Sequence, residues 1–108
     1  MKAPINFSTK LHGYELEVDG ESYILTTIAS MDSSLWITPM RNTPGAIMLL
    51  FNWKRDEYDI VPISRLSGKS DYSRSKQDLG FSPHKFRTFD SFIECTTSLI
   101  RDHKELFN

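Results

Sequence analysis

Tyr14-Glu15-Leu16-Glu17-Val18, then Asp19-Gly20, then Glu21-Ser22-Tyr23-Ile24-Leu25-Thr26-Thr27-Ile28 is the stretch whose reading decides the fold. Residues 14–18 alternate apolar with acidic, the two-residue period of a strand covered on one face. Asp-Gly suits a type I′ turn, whose two central residues both need positive φ. The run after it is rich in β-branched and aromatic residues, which fit a pleated surface. A two-residue turn pairs Leu16 with Tyr23 and Tyr14 with Leu25. Those four large side chains share one face, and Glu15 and Glu17 share the other, where they are expected to be solvated.

Downstream, Met31-Asp32-Ser33-Ser34 reads as a turn, and Leu35–Thr38 as a short strand that Pro39 ends. Trp36 alternates with Leu35 and Ile37 and should face away from them, as core or, on an open face, as an interface anchor. Arg41-Asn42-Thr43-Pro44-Gly45 is a second turn. Ala46–Trp53 is apolar at both alternating sets, so it reads as a central strand covered on both sides. Ile5, Phe7 and Leu11, the long downstream loop or a partner protein are the candidate covers of its second face. Lys54-Arg55-Asp56-Glu57 makes a charged hairpin tip, and Tyr58–Ile63 returns with Pro62 marking an edge or a bulge. About five strands joined by short turns give an antiparallel meander over residues 14–63.

Phe89, Phe92, Ile93, Thr96, Leu99, Ile100, His103, Leu106 and Phe107 fall on one arc of a helix spanning residues 88–107. Thr88 can cap its start, and Asp90 suits the positive end of the helix dipole. Such a helix must lay its apolar face across the sheet. The fold expected is therefore α+β, one domain of 108 residues with a meander packed against a single C-terminal helix.

Between strands and helix, Ser64–Arg87 changes character. It holds six Lys/Arg and two Asp, a net +4, so the rest of the chain carries −5 of the total −1. Serines recur through it and Gly68, Gly80 and Pro83 punctuate it. It reads as a long polar loop with at most a short helical turn, and loops of that length in compact domains tend to be functional or mobile. Arg65, Lys69, Arg74, Lys76, Lys85 and Arg87, with Tyr72 among them, could meet phosphates and stack a base, or steer onto an acidic protein surface.

Composition narrows the classes further. Seven Phe, four Tyr and two Trp exclude intrinsic disorder, and a single cysteine excludes an internal disulfide. Near-neutral total charge excludes a uniformly basic surface. No run approaches the roughly 18–20 apolar residues of a membrane-spanning helix, and the lone cysteine fits a reducing cytoplasm.

No catalytic or metal-binding motif emerges. His12, His84 and His103 lack metal-ligand spacing, and Gly68-Lys69-Ser70 lacks the glycine and helix of a P-loop. Cys95 falls at the margin of the apolar helix face and reads as a structural thiol. The function expected is a small non-enzymatic module that binds a partner protein, in the manner of a stoichiometric inhibitor, immunity protein or anti-defence protein, with no cofactor. The surfaces concerned are the basic segment, then Trp36 and the Lys54–Arg55 tip. Nucleic-acid binding through residues 65–87 is the alternative, and a small nuclease using His84 the third reading.

Overall fold

The computed structural model describes residues 12–28, 31–78 and 80–108, with the side chains of Ile28, Met31, Asp32, His84 and Arg87 excepted. Six strands form one antiparallel sheet in which spatial order follows chain order: β1 (Tyr14–Val18), β2 (Glu21–Ile28), β3 (Met31–Pro39), β4 (Gly45–Asn52), β5 (Glu57–Ser64) and β6 (Lys76–Gln77). One helix, α1 (Phe89–Asp102), follows, and a 3₁₀ turn over Lys104–Phe107 completes it.

The first hairpin has the expected register, Tyr14 opposite Leu25 and Leu16 opposite Tyr23. Asp19 (φ 53°) and Gly20 (φ 83°) take the two positive-φ positions of its turn. β4 is buried along both alternating sets, because it lies between β3 and β5 and is covered above and below. Ile47, Leu49 and Phe51 face α1, while Ala46 and Met48 join Val61 and Ile63 on the opposite face, with Trp36 and Leu50 packed against them. The proposed cover by Ile5, Phe7 and Leu11 lies outside the described residues.

Beneath α1, side chains from β1 to β5 meet Phe86, Phe92, Cys95, Leu99, Ile100 and Phe107 in one continuous core. Phe86 stands edge-on to both Phe51 and Phe92, at 5.6 Å between ring centroids in each case. Edge-to-face aromatic pairs stabilise by roughly 0.5–1.5 kcal/mol beyond their area burial. Thr88 caps α1 reciprocally with Ser91: Ser91 N donates to Thr88 Oγ1 at 3.1 Å, and Thr88 N to Ser91 Oγ at 3.3 Å.

Three readings need correction. Met31–Ser34 is not a turn but the first part of β3, paired through Met31 to Ile28 and through Ser34 to Leu50. The helix does not run unbroken to Phe107; it ends at Asp102, and His103 (φ −127°) turns the chain into the 3₁₀ segment. The basic segment is not simply a loop. It contains β6 and two 3₁₀ turns, Tyr72–Arg74 and Pro83–Arg87.

Pro62 sits within β5 opposite Ile47. Its carbonyl accepts from Asp71 N, so its nitrogen also points outward, away from β4. The missing N–H therefore removes no bond from the β4–β5 ladder.

Candidate functional site: a basic groove beyond β5

The edge beyond β5 is built by backbone pairing. Ser64 N donates to Lys69 O, Gly68 N to Ser64 O and Asp71 N to Pro62 O. Ile63 bridges Ser70, and farther along Lys76 and Gln77 pair with Ile60 and Asp59 as β6. Residues 64–69 thus form a tight turn with Gly68 at φ 70°, and the chain folds back alongside β5. Arg65 ties this turn to the β3–β4 connection. Its Nη1 donates to Arg41 O at 2.8 Å and lies 3.1 Å from Thr43 Oγ1, while its backbone N donates to Pro44 O.

On the other side of the β3–β4 connection comes the 3₁₀ turn after α1. A Cβ on Gly45 would stand 2.5 Å from the Leu106 carbonyl oxygen, so only glycine lets the two backbones approach this closely. Between these segments lies an open groove of about 430 Å³. Lys69 and Arg74 stand on its rim with three serines, and prolines 44 and 62, Ile63 and Leu106 provide apolar wall. Asp71 is the one acidic residue lining it. Its Oδ1 is occupied by Ser73 N and Ser73 Oγ, and Arg74 Nε stands 4.0 Å from its Oδ2.

The segment read as one basic patch is divided in space. Lys69 and Arg74 reach the groove. Arg65 is committed to holding the loop, and Lys76 lies 3.7 Å from Glu105. Lys85 is exposed before the N-terminus of α1, at the far end of a 14-residue helix, about 20 Å away at 1.5 Å per residue. The side chain of Arg87 lies outside the described residues, as does that of His84.

Exposed apolar side chains mark the same region. Leu66 is 92% exposed, Tyr72 62% and Met40 56%, and among the described residues no other large hydrophobic is left so open. Met40 precedes the arginine whose carbonyl Arg65 holds, Leu66 follows Arg65, and Tyr72 opens the next 3₁₀ turn. Composition alone could not single these three out, because exposure depends on which strands end where.

Of the other surfaces named from sequence, Trp36 does face away from Leu35 and Ile37, and it packs half-buried against the Met48–Val61 cluster. Lys54 and Arg55 are exposed at the β4–β5 tip, where Arg55 N donates to Asn52 Oδ1 at 3.1 Å. Cys95 is buried, and burial pushes its thiol up from the ordinary range.

A second constellation, unforeseen, gathers where β6 meets the end of α1. Asp78 and His103 are 13% and 17% exposed in their side chains, with Oδ2 and Nε2 3.6 Å apart. Asp78 Oδ1 accepts from Gly80 N at 2.6 Å. Tyr58 lies beside the same carboxylate. Burial first and the Asp78 charge second push its phenol well above the ordinary range. The Asp78–His103 contact ties the sheet edge to the end of α1.

Among the described residues no group of three His, Cys, Asp or Glu is placed to hold a metal ion, and no helix is long and apolar enough to cross a membrane. Comparison of the chain with protein-family models, curated proteins and solved structures finds no match.

Proposed function

We propose that the chain is a non-enzymatic binding module that engages an acidic surface of a partner protein through the end of the sheet formed by the β3–β4 connection and residues 64–74. One observation carries this reading: Met40, Leu66 and Tyr72 are each exposed on segments that Arg65 ties together, with Lys69 and Arg74 between and beside them, while Arg41 pairs with Glu21. Single exposed hydrophobics are ordinary, but aromatic residues, Met and Arg are enriched at the anchors of protein interfaces. The loop that presents them is pre-ordered by hydrogen bonds to β5 and to Arg65, which reduces the ordering entropy lost on association. Lys69 and Arg74 at the groove would speed encounter with an acidic partner. Stoichiometric inhibitors and immunity-type proteins work in this way.

Capture from host lysate, identified by mass spectrometry and quantified with the purified partner, tests the proposal. Leu66→Asp with Tyr72→Ala should weaken binding at least a hundredfold, while Lys54→Ala with Arg55→Ala at the opposite end leaves it unchanged. Equal binding by both double variants would place the interface elsewhere.

Nucleic-acid binding keeps one observation in its favour, exposed Tyr72 two residues from Arg74. The separation of Lys85 from the groove works against a continuous phosphate track.

A further inference from the structure

We propose that the groove beyond β5 receives a glutamate or aspartate side chain from the partner, so that the module selects a short acidic peptide segment. The inference rests on the protein-binding reading and adds the chemistry of what is bound. It follows from how the polar groups around the groove are already used.

Ser64 Oγ accepts from Ser67 N at 3.4 Å, and Ser67 Oγ accepts from Lys69 N at 3.3 Å. Each hydroxyl thus has one of its two lone pairs engaged by a backbone N–H and its own proton left to donate. Lys69 forms no ion pair among the described residues. Arg74 is held only loosely, by one contact at 4.0 Å, so the outer nitrogens of its guanidinium can take a carboxylate in the two-pronged geometry. The neighbouring carboxylate, Asp71, has one oxygen filled by two donors from Ser73 and does not compete for Lys69. Two cations, Lys69 and Arg74, thus face the groove against the single carboxylate of Asp71, with serine hydroxyls and Asn108 as neutral polar neighbours, and this balance favours an anion.

The wall decides which anion. Ile63, Leu106 and the two prolines offer apolar surface beneath the cations. A bare phosphate gains nothing from such surface, whereas the methylenes of an acidic side chain bury against it while the carboxylate reaches Lys69 and Arg74. Leu66, projecting beside the groove, suits an apolar residue next to the acidic one.

The test uses the full chain, isotope-labelled, titrated at low and physiological salt with the blocked peptide acetyl-Glu-Glu-Leu-Glu-amide. The same peptide with glutamines, inorganic phosphate and an oligothymidylate serve as comparison probes. The acidic peptide should shift backbone amides of residues 64–74 and 106–108, more strongly at low salt, and the glutamine peptide should not. Lys69→Ala and Arg74→Ala should each weaken it about tenfold, and Ser67→Ala about threefold, with the remaining spectrum unchanged as the sign of an intact fold. Equal shifts from the glutamine peptide, no shift at residues 64–74, or tighter binding of phosphate or oligothymidylate at those amides would each overturn the inference. If the peptide fails while Leu66→Asp still abolishes partner binding, the acidic segment is wrong and the interface stands. If the peptide binds while Leu66→Asp leaves the partner bound, the interface assignment falls instead.

Discussion

The face under α1 and the edge beyond β5 are held by different forces. Under the helix, aromatic and aliphatic side chains from five strands interlock with Phe86, Phe92 and Leu99, and order comes from apolar burial. Beyond β5, the 64–74 segment lies outside both apolar clusters, the second of which stops at Ile63, and order comes from backbone hydrogen bonds and from Arg65. The difference teaches where substitution should be felt. Damage to the first region lowers global stability, and damage to the second loosens a surface while the fold persists.

The largest effect is expected from Phe92→Ala, which empties the centre of the α1 contact; the variant should lose about 3–5 kcal/mol of unfolding free energy in a urea titration. A loss below 1 kcal/mol would show that α1 adds little to the sheet and would erase the contrast. Arg65→Ala should cost only about 1 kcal/mol globally, since the bonds it makes are partly solvated. Its informative consequence is local: amide exchange at Ser64, Gly68 and Asp71 should accelerate at least tenfold while amides of β4 keep their protection. Uniform acceleration across the sheet would mean that edge and core unfold as one unit.

The smallest effect is expected at Asp19, whose carboxylate meets Arg101 Nε at 3.1 Å and Lys104 Nζ at 3.3 Å. Hydrogen bonding to Arg101 holds its pKa below the usual carboxylate value of 3.8. A group depressed on folding adds stability above its unfolded pKa and loses it as pH falls through the folded one. Asn accepts the same positive φ, so Asp19→Asn should leave the turn intact and flatten the decline of stability below about pH 4. Both carboxylate and cations are exposed, so the change is small, and an unaltered acid profile would show that the bridge is fully screened.

What could be read from the chain follows the range of the forces involved. The first hairpin was legible to the register because an Asp-Gly turn and an alternating strand are local signals. The face of Trp36 and the double burial of β4 followed from strand period alone. Met31–Ser34 misled because Asp and Ser favour turns, whereas here pairing to β2 and β4 overrides that preference. β6 carried no alternation to find, since Lys76 and Gln77 are ordered by their backbone partners in β5. The cations of the groove were nameable from composition, but its walls were not. They come from residues 44–45, 62–71 and 106–108, which only the closed fold brings together.

The strand order has a consequence for how the molecule comes to exist. Because each of the six strands pairs only with its neighbour in the chain, every sheet contact closes a short loop. A meander of this kind has lower contact order than a sheet with distant pairings and so folds faster than one. During synthesis each hairpin can close as its second strand appears, before any later strand exists. α1 and the 3₁₀ turn after it must wait, since they reach back to the first strands, α1 to β1 through Tyr14 and Phe89, 5.3 Å apart at their ring centroids, and the turn to β2 through Tyr23 and Phe107. Until they dock, one apolar face of the finished sheet stands open to water, and that interval is when the nascent chain is most exposed to aggregation.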